Sequence, residues 1–109
     1  MVKTRQAIER IINQYKQILT TLGINAQRII LFGSYASGNA SEYSDIDLLV
    51  ISKDFEKRNL RERLEILGLA AGKVFEPIEA LGYTPEEIEE EKKDHSFVGE
   101  IQNHACVEF

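Results

Sequence analysis

Apolar residues recur at intervals of three and four through residues 5–22, at Ile8, Ile11, Ile12, Tyr15, Ile18, Leu19 and Leu22. This is the stripe of an amphipathic helix, and Gly23 ends it. The pattern then shortens. Residues 28–32, rich in β-branched and aromatic side chains and stopped by Gly33, predict a first strand. Residues 35–44 are small and polar and predict a tight turn, a short helical start and a loop. Residues 46–51, Ile-Asp-Leu-Leu-Val-Ile, predict a second strand buried on both faces beyond its aspartates. Leu60, Leu64, Leu67 and Ala71 return to helical spacing, with Gly72 as the expected stop, and residues 74–83 predict a third strand made irregular by Pro77. Thr84, Pro85 and Glu87 form a helix start with a capping box, predicting a third long helix through about Lys93. Beyond it, Phe97, Val98 and Ile101 suggest a short helix, and residues 106–109 an extended end. Strand and helix alternate throughout, so the expected fold is α/β (α+β): one small sheet with helices packed on it, in a single domain over residues 1–109.

Composition narrows the possible partners. The net charge of -5 argues against a long nucleic-acid footprint, because such binding draws on Lys and Arg neutralising phosphates. A small anionic ligand held by a local cluster remains open. Residues Lys53, Lys57, Arg58, Arg61 and Arg63 form the densest basic stretch, which a solvated helix face explains equally well. No apolar run approaches a membrane span and no signal-peptide pattern opens the chain, so a cytoplasmic location is expected. The one cysteine, Cys106, is expected to pack in or near the core.

The second strand carries the chemistry. Successive side chains on a strand point to opposite faces, so Asp45 and Asp47 share a face, about 7 Å apart along the backbone. Two carboxylates brought together beside a buried strand repel each other and resist desolvation, costs that a divalent cation offsets. Oxygen ligands favour Mg2+ or Mn2+ over zinc. The alternative is that both aspartates sit at an exposed strand entrance and cap loop amides. The upstream turn tilts the balance: Gly33 permits a sharp bend and close approach of a ligand, and Ser34 can open a helix whose free N–H groups face a phosphate. A phosphate-receiving turn beside metal-holding carboxylates is the minimum apparatus for nucleotidyl transfer.

Gly33-Ser34, ten intervening residues and Asp45-Ile46-Asp47 together resemble the signature of the DNA polymerase β-like nucleotidyltransferase superfamily, in particular its minimal nucleotidyltransferases. The likeness extends through "LFGSYASG", "SDIDLLV" and "EALGYTPEEIEE". It implies a mixed sheet flanked by helices and transfer of a nucleoside monophosphate from an NTP, with ATP expected, to a hydroxyl. By position, Gly33 and Ser34 match the phosphate-contacting turn and Asp45 and Asp47 the metal-binding pair. A third carboxylate is implied on a neighbouring strand; Glu79 is the better match and Glu76 the rival, because Pro77 leaves the register open. Many relatives carry arginine where this chain has Ser37, a loss that would either weaken NTP binding or shift the cationic role to Lys53 or another basic residue. The resemblance also implies a HEPN-type helical protein as partner, with this chain as antitoxin adding AMP to it, on a tyrosine. A binding module that masks such a partner without catalysis is the competing expectation, and an aminoglycoside-type transferase acting alone is disfavoured by length.

Overall fold

The computed structural model describes residues 2–93 and 106–109. Helix α1, Arg5–Thr21, is capped by Thr4, whose Oγ1 accepts the Ala7 N–H at 3.1 Å. Its stripe of Ile8, Ile11, Ile12, Tyr15 and Leu19 is buried. After Gly23, held at a φ of 93° that favours glycine, the chain enters strand β1, Arg28–Phe32. A single helical turn, α2, Ser34–Ser37, follows. Strand β2 spans Ile46–Ile51 and leads through a 3-10 turn, Lys53–Phe55, to helix α3, Leu60–Val74. Strand β3 is Ile78–Tyr83, helix α4 is Pro85–Lys93, and strand β4 is Val107–Glu108.

The sheet order is β3-β2-β1-β4. Strand β1 is antiparallel to β2 and β4, whereas β2 and β3 are parallel, so the sheet is mixed. A parallel pair needs a long crossover, and α3 supplies it. The interior position of β2 explains its unbroken apolar run: Ile46, Leu48 and Val50 pack with α1 and α3, while Leu49 and Ile51 pack with Ile30 and Ile88 of α4 on the other side. The Tyr15 hydroxyl donates to the Leu67 carbonyl at 2.9 Å in the buried layer, tying α1 to α3. Among the described residues no helix is long and apolar enough to cross a membrane.

Three expectations change. Gly72 does not stop α3; the helix runs to Val74 and ends at Phe75, which adopts the left-handed conformation (φ 61°) more usual for glycine. The third strand consequently begins at Ile78 rather than 74, after Pro77. Cys106 is exposed rather than packed, because the short β4 lies at the sheet edge. The short helix expected over Phe97, Val98 and Ile101 lies outside the described residues. A cap that the sequence did carry, Asn59 with Glu62, starts α3 as a full capping box.

Candidate active site

Topology gathers one end of the sheet. Because β1 and β2 are antiparallel and β2 and β3 parallel, the end of β1, the start of β2 and the start of β3 lie together. Phe32 pairs with Asp47, and Asp47 with Glu79. Paired residues on adjacent strands project to the same face, so Asp47 and Glu79 are neighbours across the strands, and Asp45, two residues before Asp47, precedes β2 on that face. Asp47 is half-buried, whereas Asp45 and Glu79 are exposed.

Gly33 is required here twice over. Its φ of 74° and ψ of -152° lie in a region essentially restricted to glycine. A Cβ at this position would also overlap Oδ2 of Asp47 and lie 3.1 Å from its Cγ. The turn and the Asp47 carboxylate are therefore packed against one another, and only a residue without a side chain allows it. The Ala36 and Ser37 amides return to the Gly33 carbonyl, each at 3.1 Å. The amides of Ser34 and Tyr35 come before the first residues able to bond back into the turn, which leaves them to face a ligand or water. Gly38, at φ 83°, ends α2. The loop beyond is held by the Ser41 amide donating to Ser44 Oγ at 2.8 Å, and the entrance to β2 by the Ile46 amide donating to the Pro77 carbonyl at 2.8 Å.

The electrostatics follow from this placement. The Asp47 carboxyl is pushed above its usual range, first by burial and then by the negative charges of Glu79 and Asp45. Burial and both neighbouring charges disfavour its ionised form. Among the described residues, no three acidic, histidine or cysteine side chains stand close enough together to hold a metal ion as they are. The carboxylates form an electrostatically coupled row rather than a finished cage. Their oxygen-only donors and the uncompensated charge on Asp47 fit a hard divalent cation such as Mg2+ or Mn2+, which would lower the cost of ionising Asp47. Beside them an open groove of 540 Å³ is walled by Asp47 and Glu79 and by the apolar Phe32, Leu64, Leu67 and Leu81.

The two rival glutamates separate. Glu79 lies within β3 opposite Asp47, whereas Glu76 lies in the connection before β3 with its Oε1 3.5 Å from Lys3 Nζ. Ser37 is spent within its own turn, donating to the Ser34 carbonyl and accepting from Asn39, both at 3.3 Å. Lys53 lies beyond the far end of β2, roughly 20 Å along the strand from Asp47 at the usual rise, so it does not serve this end of the sheet. Arg63, in the same basic stretch, is 8% exposed and belongs to the structure: its guanidinium donates to the carbonyls of Phe55, Arg58 and Gly82 and pairs with Glu87 at 2.6 Å. Sequence reasoning missed this node because one arginine in a basic run carries no mark of burial.

Residues 12–105 match the family model of the nucleotidyltransferase domain. Three proteins of Methanocaldococcus jannaschii, each provisionally named a protein adenylyltransferase, are similar to this chain. One is 69% identical over 32 residues, 29% of this chain and 22% of that protein. The second is 42% identical over 65 residues, 59% of this chain and 64% of that protein. The third is 38% identical over 68 residues, 62% of this chain and 64% of that protein. The chain thus spans less than two thirds of the length of each. A crystal structure of a provisionally named nucleotidyltransferase from Sulfolobus solfataricus has the same fold, with a TM-score of 0.56 at 21% identity, over 100% of this chain and 90% of that one. A crystal structure of a toxin-antitoxin with AMP-PNP matches with a TM-score of 0.51 at 26% identity, over 64% of this chain and 55% of that one. A family model covering most of the chain, on a mixed sheet of the same architecture, makes this chain a member of the nucleotidyltransferase-domain family.

Proposed function

We propose that residues 1–109 act as one nucleotidyltransferase domain that moves AMP from ATP to a hydroxyl of a HEPN-type partner protein, as the antitoxin of a cytoplasmic pair. The observation that carries this reading is the register that sets Asp47 opposite Glu79 while Gly33 packs against the Asp47 carboxylate. The names of the relatives support adenylyl transfer to protein, and the toxin-antitoxin neighbour with AMP-PNP supports a nucleotide and a protein partner.

In the proposed reaction the turn at Gly33 and Ser34 receives the triphosphate, and the groove beside Glu79 receives the acceptor. The acceptor oxygen bonds to the α-phosphorus, the bond from that phosphorus to the pyrophosphate oxygen breaks, and pyrophosphate departs. The hydroxyl proton passes to Glu79. A divalent cation held by Asp45, Asp47 and Glu79 would supply charge neutralisation at the phosphates and make the acceptor hydroxyl more acidic.

A second reading, a binding module that neutralises its partner by complex formation alone, is favoured by the open row of carboxylates and by Ser37 in place of a cation. Intact-mass spectrometry of the partner after incubation with ATP and Mg2+ separates the two. An added AMP mass that disappears with the D45N/D47N double variant is the expected result. Undiminished neutralisation by that variant, with no mass gain, would favour the module.

A further inference from the structure

Among the described residues β3 is an edge of the sheet, and its alternate peptide groups point away from it. The Ile46 amide donates to the Pro77 carbonyl at 2.8 Å and the Ser52 amide to the Tyr83 carbonyl at 3.0 Å, so the odd-numbered residues of this segment turn their backbone groups toward β2. By alternation Ile78, Ala80 and Gly82 turn theirs outward. Toward each end these groups are answered: the Ile78 amide donates to the Glu76 carbonyl at 2.8 Å, and the Gly82 carbonyl accepts from Arg63 at 3.3 Å. Between them, no described residue outside the sheet bonds the Ala80 amide or carbonyl. Edge strands are ordinarily blunted by lysine, proline or a bulge. Ile78–Tyr83 has no lysine or proline, and its register with β2 is unbroken.

The groove that holds Asp47 and Glu79 continues round this edge to the other face of the sheet, where Leu64, Leu67 and Gly68 of α3 line it. Leu64 is apolar yet 46% exposed, and a Cβ on Gly68 would meet nothing within 4 Å. A groove that reaches both faces at an unpaired edge has the shape of one added strand. In such a strand the residue opposite Glu79 turns its side chain to the carboxylate face, and its two neighbours turn theirs to α3. A second copy of this chain fits poorly. The net charge is -5, and antiparallel edge-to-edge pairing would bring a second row of Asp47 and Glu79 to the same face.

We infer that the edge of β3 is the docking site of the protein acceptor, which adds an extended segment to the sheet there, with its hydroxyl residue opposite Glu79 and apolar residues on either side. This inference rests on the nucleotidyl-transfer reading above and names how its acceptor is held. Main-chain hydrogen bonds to Ala80 fix the register, and the apolar wall at Leu64 and Gly68 selects the flanking residues.

The test uses the full chain with Mg2+ and a nonhydrolysable ATP analogue, and as probe a mixture of octapeptides with tyrosine fixed at the fourth position and the others randomised. Tyrosine is chosen because the hydroxyl must cross two strand spacings, about 10 Å, from the added strand toward Asp47. Peptides retained on the chain are sequenced. Apolar residues should be enriched about fivefold beside the tyrosine, the discrimination that partial burial of one side chain supplies. In the best of these peptides, N-methylation of one alternating set of amides should weaken binding at least about tenfold, the scale of a lost hydrogen bond, and methylation of the other set less than twofold. L64K should weaken peptide binding by a similar factor, with its melting temperature and its affinity for the ATP analogue unchanged. No enrichment beside the tyrosine, equal losses from both methylated sets, or undiminished binding by L64K would overturn the inference. So would a wild-type dimer in sedimentation that L64K dissociates, which would assign the edge to a second copy. Incubation with ATP then separates the two readings. Patterned retention without AMP gain would end the transfer reading and leave the docking site, whereas AMP gain by peptides without the pattern would end the docking site alone.

Discussion

Where β2 leaves the sheet for the 3-10 turn, buried charge is answered atom by atom. Arg63 meets three carbonyls and Glu87, and Glu87 also accepts the Thr84 amide at 2.8 Å. Burial pushes the Glu87 carboxyl up, but the Arg63 and Thr84 hydrogen bonds outweigh it and hold the group below its usual range. At the opposite end Asp47 is raised by burial and by two neighbouring carboxylates, and among the described residues no cation is seen to offset them. One end of the sheet spends its polar groups on holding elements together, and the other leaves them short of partners. The difference separates the two ends: an uncompensated half-buried carboxylate costs stability, and under the proposed function a bound cation would offset that cost.

Replacing Asp47 by Asn should therefore have opposite effects on the two properties. Transfer should fall by at least about a thousandfold, the several kcal/mol that metal-assisted charge stabilisation supplies. The metal-free melting temperature should stay equal or rise, because a disfavoured charge is gone. A variant that loses activity only because it unfolds would break the contrast.

The far end should respond the other way. Arg63→Met leaves Glu87 and three carbonyls without their donor, and should cost about 3 kcal/mol in urea unfolding. Metal and nucleotide binding by the folded fraction should be unchanged. A loss below 1 kcal/mol would mean that this network is not what anchors α4.

The two glutamates sharpen the comparison within the end that carries Asp47. Glu79→Gln should lower the transfer rate about a hundredfold, the size of a general-base loss. Glu76→Gln should lower it less than twofold, measured under saturating ATP. The reverse ranking would contradict the assignment of Glu79 to the acceptor.

How far these positions could be read in advance depended on the interaction involved. The two-faced run of β2 and the stripe of α1 were legible because burial leaves a periodic trace in residue type. The placement of Gly33 in a turn and of Asp45 and Asp47 at the entrance to β2 was legible because both features are local. The sequence favoured Glu79 over Glu76 but left the register open, since the register turns on where α3 ends: Phe75 rather than Gly72 closes the helix, and that moves the start of β3 past Pro77. Arg63 and the exposed Cys106 were also hidden. Each is defined by a contact, or the lack of one, across more than a dozen residues of chain, and periodicity carries no record of it.

The smallest expected effect concerns pH. Above its raised value Asp47 is ionised in both folded and unfolded chains, and wild type bears the full penalty. As pH falls through that raised value the folded state takes up its proton first, so the penalty fades and is gone below the ordinary carboxylate value. The melting-temperature gap between Asp47→Asn and wild type should therefore narrow as pH drops from 7 toward 4. Glu87 contributes with the opposite sign in both proteins, its stabilisation fading as pH falls through its lowered value, and so cancels from the difference. Saturating Mg2+ with a nonhydrolysable ATP analogue should flatten the gap at neutral pH.

Electron paramagnetic resonance of Mn2+ tests the shared site of Asp45, Asp47 and Glu79 most directly. Free Mn2+ gives a strong signal that diminishes on binding, so titrating protein into Mn2+ with a nonhydrolysable ATP analogue counts bound metal. Wild type should remove Mn2+ from solution beyond what the analogue alone does, and Asp47→Asn should not, although its melting temperature shows it folded. Equal Mn2+ uptake by the two proteins, or none by wild type, would contradict the assignment of this end of the sheet as a metal-dependent nucleotidyl-transfer site.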